Sequence, residues 1–86
     1  MEAITEATFR KLVKGGSVRE VQVVADGREW YVVAKIGMED QVVSSQRRQR
    51  RTWRSLDSVL DWLQDRVGVA TFSVNASQRS GQKGAA

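Results

Sequence analysis

The sequence contains neither cysteine nor histidine. Without cysteine, no disulfide and no thiolate-metal site can brace the fold. Without histidine as well, the commonest general base, the commonest metal ligand and the softest nucleophile are all missing. Catalysis would have to rest on Ser, Asp and Lys alone, so the chain reads as a non-enzymatic protein that takes no cofactor and no metal. Long apolar runs are lacking too: none approaches the roughly 20 residues that cross a bilayer. The opening MEAITEATF has neither the basic n-region nor the apolar h-region of a signal peptide. The expectation is a cytoplasmic protein without membrane contact, which the absence of cysteine fits.

What remains is 86 residues, one domain near the lower limit at which a hydrophobic core suffices. Such a domain buries only about 60% of the surface its unfolded chain exposes. The net charge of +4 is unevenly placed. Residues 47–54 hold Arg47, Arg48, Arg50, Arg51 and Arg54 and no acid; the rest holds nine basic and ten acidic residues, a remainder of −1. A nearly neutral domain thus carries one concentrated positive segment, and such a segment attracts phosphates or carboxylates.

Thr5 reads as an N-cap, with Ile4 before it and Phe9 after it placed as a hydrophobic staple. Phe9, Leu12 and Val13 continue at helical spacing and Gly15-Gly16 stops the helix, predicting residues 5–14 as helical. Arg10, Lys11 and Lys14 lie on its polar face, the last two suited to the helix dipole. Val18–Ala25 reads as a strand, Asp26-Gly27 as the centre of a hairpin turn, and Glu29–Ile36 as the return strand. A third strand is expected over 41–46, and Thr52-Trp53 suggests a short fourth. Ser55 then caps a second helix whose stripe is Leu56, Val59, Leu60, Leu63 and Val67, stopped by Gly68. Residues 69–74 give a last strand. The composition from Asn75 onward cannot bury a core, so residues 1–75 are expected as the domain and 76–86 as a disordered tail. The expected fold class is α+β: helix, four-strand antiparallel meander, helix, strand, with both helices on one face of the sheet.

The arginine segment admits three readings. It is a solvated tip that keeps an edge strand from pairing with other chains, a nucleic-acid contact, or a surface that docks on an acidic protein. Arginine throughout, rather than lysine, favours paired or stacked contacts, because its planar fork matches phosphate and carboxylate oxygens. Trp53 stands at the entrance to the second helix and reads as a core anchor rather than a base-stacking platform. Alanine at Arg47, Arg48, Arg50 and Arg51 is expected to leave folding intact, since a hairpin tip packs little. The element order approaches that of a double-stranded-RNA-binding domain, but the second helix there opens on lysines, whereas this one opens Ser55, Leu56, Asp57, Ser58. That identity is excluded, as are RRM and KH modules, for want of paired aromatics on strands or a GXXG loop.

Taken together, ITEATFRKLVKGGSVREVQVV, WYVVAKIGMEDQVVSSQR, RTWRSLDSVLDWL and GVATFSV resemble a small ParC-like family, partition-associated proteins of plasmids and integrative elements. The resemblance covers roughly residues 4–75. In such relatives glycine occupies the turn after the third strand, whereas here Arg48 stands nearby, so a general family role need not explain the arginine density. The resemblance implies an accessory factor encoded near partition ATPases and centromere-binding proteins, and it carries over no catalytic residue. The expected function is therefore a non-catalytic maintenance factor of a mobile element, a homodimer binding DNA through Arg47, Arg48, Arg50, Arg51 and Arg54. The alternatives are an adaptor that docks these arginines on an acidic partner such as a partition ATPase, or a small element-encoded inhibitor of a host system.

Overall fold

The structure, a computed structural model, describes residues 2–45 and 49–78. Strand β1 (Glu2–Thr5) leads directly into helix α1 (Glu6–Lys14). Thr5 ends the one and caps the other, its Oγ1 accepting from the Thr8 N–H at 3.2 Å. At the far end, the Gly16 N–H donates to the Val13 carbonyl and the Ser17 N–H to the Leu12 carbonyl, with Gly16 at φ 76°. That pair of bonds is the Schellman arrangement, which a left-handed residue makes possible. Strands β2 (Val18–Asp26), β3 (Glu29–Ile36) and β4 (Glu39–Ser44) follow as an antiparallel meander. Helix α2 (Leu56–Asp61) is capped by the Ser55 hydroxyl and runs into a π-helical turn (Trp62–Val67) that Gly68 ends at φ 89°. Strand β5 (Ser73–Asn75) closes the described fold.

The five strands lie in the order β1-β4-β3-β2-β5. Alternation along the central strands sends Val21, Val23 and Ala25 of β2 to one face, together with Trp30, Val32 and Ala34 of β3 and Val43 of β4. Phe9 of α1, Val59 of α2 and Trp62 and Leu63 of the π-helical turn cover that face. Phe9, Val23, Val32, Val43, Val59 and Leu63 are fully buried. Burying a side chain of this kind contributes about 1.5–3 kcal/mol, so six of them dominate a domain this small.

The α+β class, the two helices and the central meander match expectation. Three features of the sheet differ. The expected order of helix, four-strand antiparallel meander, helix and strand becomes a five-strand mixed sheet, because β1 pairs parallel with β4 and β5 pairs parallel with β2. Glu2–Thr5 was not expected as a strand: it holds a single half-buried apolar residue, Ile4, and its pairing is decided some 40 residues away. The fourth strand at Thr52-Trp53 shrinks to one bridge between Trp53 and Trp30, and the last strand to three residues. The first hairpin also turns one residue later than expected: Asp26 pairs with Glu29, so Gly27, at φ 66°, and Arg28 form its tip. Described structure reaches Gln78, whose carbonyl accepts from the Gly27 N–H at 2.9 Å. Among the described residues no helix is long and apolar enough to cross a membrane.

Candidate functional site

Strand β4 follows β3 only as far as the Val33–Val42 pair, while its other edge pairs with β1 from Gln41 to Ser44. The returning chain fills the gap this opens. Arg50 bridges Ser44, the Arg51 N–H donates to the Val43 carbonyl, and Trp53 exchanges both backbone hydrogen bonds with Trp30 at 2.9 Å. The loop above is closed by the Ser45 N–H donating to the Gln49 carbonyl at 2.7 Å. The arginine segment therefore sits on a clamped base.

Consecutive residues of an extended chain point to opposite faces, and here that splits two arginines across the sheet. Arg50 goes to the open face, where its guanidinium lies 4.2 Å from the centre of the Tyr31 ring and pairs with Asp26. Arg51 goes to the helical face. Its guanidinium pairs with Glu6 in the first turn of α1 and lies 4.7 Å from the Trp53 ring and 5.4 Å from the Trp62 ring. Phe9, Trp62 and Trp53 form a run of ring contacts beneath it, with centroids 5.9 and 4.8 Å apart. Trp62 buries its indole N–H without an acceptor among the described residues.

Of the expected site residues, then, Arg50 and Arg51 are engaged within the fold. Arg54 is exposed immediately before the α2 cap and takes no carboxylate partner among the described residues. Arg47 and Arg48 lie outside the described residues. Arg51 is not a tip residue: it packs on two core tryptophans, so the expectation that its removal leaves folding untouched is corrected here. Trp53 is buried in the core, as its position suggested.

A second basic surface escaped the sequence reading. A groove between α1 and the π-helical turn is lined by Ala7, Arg10, Lys11, Lys14, Arg66 and Val67. None of its four cations has a carboxylate partner among the described residues. Taken singly, Lys11, Lys14 and Arg66 look like dipole compensation, and no spacing rule links residue 66 to residue 10. A second depression, lined by Thr5, Glu6, Ala7, Arg10, Ser44, Ser45 and Arg51, shares Ala7 and Arg10 with this groove. The two join the base of the arginine segment to the far end of α1. Among the described residues no group of three or more acidic side chains is placed to hold a metal ion.

A search of curated proteins returns no significant match, and a search of solved structures returns none either. The model of one family does match, over residues 4–80, and the chain belongs to that family, described as ParC-like.

Proposed function

We propose that this ParC-like protein is a non-catalytic accessory factor in the maintenance of a plasmid or other mobile element, binding DNA phosphates through the Arg47–Arg54 segment. The observation that carries the reading is the clamped base of that segment. Arg50 and Arg51, tied to Asp26 and Glu6 and stacked on Tyr31, Trp53 and Trp62, hold the described end of the segment on both faces of the sheet. A polyanion then meets a segment whose base is already held in place, and less ordering entropy opposes binding. In this reading Arg50 and Arg51 position the segment, while Arg47, Arg48 and Arg54 contact phosphate. The protein works in the cytoplasm as a homodimer, since β1 and β5 leave two open edges on a small sheet.

Fluorescence anisotropy of a labelled duplex, titrated with the wild type and with R47A/R48A/R54A at two salt concentrations, tests the proposal. Each neutralised phosphate contributes a slope of about −0.9 in log K against log salt, so losing three contacts reduces the slope by up to about 2.7. A wild type that fails to bind at low salt sinks the DNA reading. The runner-up would then stand first, in which the same arginines meet an acidic protein.

A further inference from the structure

We infer that the groove between α1 and the π-helical turn is a second phosphate-contacting surface, in which Arg10, Lys11, Lys14 and Arg66 hold a nucleic-acid backbone. The simplest competing account is dipole compensation, since Lys11, Lys14 and Arg66 sit in the last turns of their helices. Magnitude decides against it as the whole explanation. A helix C-terminus is worth roughly half a negative charge, so two ends offset about one of the four positive charges. At the α1 end the Lys11, Val13 and Leu12 carbonyls already accept from the Gly15, Gly16 and Ser17 N–H groups, leaving the lysine heads less to bind there. About three charges stay uncompensated around one groove, with no carboxylate partner among the described residues.

Geometry and composition favour phosphate over an acidic protein. Arg10 and Lys14 are one helical turn apart on the same side of α1, an axial rise of about 6 Å, and Arg66 faces them from the other wall. A cleft with cations on both walls suits a chain of anions. The rest of its lining is the exposed Ala7 and the half-buried Val67, with no aromatic side chain to form a pocket for an anchor residue. Lysine is depleted at the centre of protein interfaces, which rely on desolvated aromatic anchors. The shared residues Ala7 and Arg10 set this groove beside the depression lined by Glu6, Ser45 and Arg51, so Arg10 stands between the groove and the base of the arginine segment. The inference borrows the class of ligand from the proposed function, but the groove stands on its own residues.

The test is a salt series of duplex-DNA anisotropy with four proteins: wild type, K11Q/K14Q/R66Q, the charge-keeping K11R/K14R/R66K, and R47A/R48A/R54A. Arg10 is left in place because it borders both depressions. The glutamine variant is expected to reduce the salt slope by up to about 2.7, three contacts at about 0.9 each. The charge-keeping variant is expected to retain the wild-type slope, and circular dichroism checks that each variant is folded. A glutamine variant with wild-type affinity and slope overturns the inference while the reading of the arginine segment stands. Loss confined to the glutamine variant, with R47A/R48A/R54A unaffected, upholds the groove and overturns that reading. No binding by the wild type at low salt overturns both.

Discussion

Arg51 and Glu6, 45 positions apart in the sequence, form an ion pair that ties the arginine segment to the first turn of α1. The guanidinium also covers Trp53 and Trp62, so this one side chain connects α1, the chain entering α2 and the π-helical turn. Partial exposure, 37% for the arginine side chain and 31% for the glutamate, keeps the ion pair itself to about 1 kcal/mol or less. Stacking on a partly desolvated tryptophan adds about 0.5–2 kcal/mol. Arg51→Ala is therefore expected to destabilise the domain by about 1–2 kcal/mol, read as a lowered urea midpoint. Arg51→Lys should recover only part of that, because an ammonium keeps the charge and loses the planar stack. Arg50→Ala should cost less than Arg51→Ala, since its pair with Asp26 is more exposed and its ring partner, Tyr31, lies on the open face. Equal losses at the two positions would show that the tryptophan stack adds nothing beyond what Arg50 gains over Tyr31.

The helices were legible because their signals are local. Thr5 and Ser55 each cap within three residues, and Gly16 and Gly68 stop their helices through conformations few other residues adopt. The inward face of the central strands was legible for the same reason, as strict alternation in β3 separates Trp30, Val32 and Ala34 from Tyr31, Val33 and Lys35. Parallel pairing was not legible. It is set by crossovers through α1 and α2, and the short strands β1 and β5 carry no pattern strong enough to announce it. The arginine segment was visible as charge, but its division was not. Whether a given arginine binds outward or inward depends on which carboxylate and which ring the fold brings to it, and Glu6, Asp26 and Tyr31 are all distant in sequence. The groove was hidden for the same reason, since only tertiary packing sets Arg66 opposite Arg10.

The adjacent glycines at the end of α1 should respond to alanine with opposite signs. Gly15 has ordinary right-handed helical geometry, φ −83° and ψ −1°, and an added Cβ would meet the Lys11 carbonyl at 3.5 Å, normal contact. Gly15→Ala restricts the unfolded chain without straining the folded one and should stabilise by about 0.4–1 kcal/mol. Gly16, at φ 76°, has open space around the Cβ position, so its alanine variant meets no clash and the whole cost is backbone strain of about 1–2 kcal/mol. In a domain of this size about 1 kcal/mol moves the melting temperature by roughly 4–8 °C, so thermal melts should place the two variants on either side of the wild type. Melting temperatures that shift in the same direction would mean the helix does not end in the Schellman geometry.

Ser44 is where β1, β4 and the base of the arginine segment meet, and its hydroxyl has a specific task there. Its backbone pairs with Thr5 on one side and bridges Arg50 on the other. The side chain is 3% exposed as a residue and donates from Oγ to the Ile4 carbonyl at 3.0 Å. Valine would match the burial and the strand preference better, so a sequence optimised for packing alone would not place serine here. Ser44→Ala removes a buried donor and leaves its acceptor with one partner fewer, an expected cost of about 0.5–1.5 kcal/mol. The loss should be local as well as global, because β1 is short, lies at the edge and is held through β4 and α1. Hydrogen exchange should therefore quicken at the β1 amides and at the Arg51 N–H bonded to Val43, while the amides of β2 and β3 slow or quicken only with global stability. Uniform acceleration across the sheet would show instead that Ser44 supports the whole fold and has no particular hold on β1 or on the arginine segment.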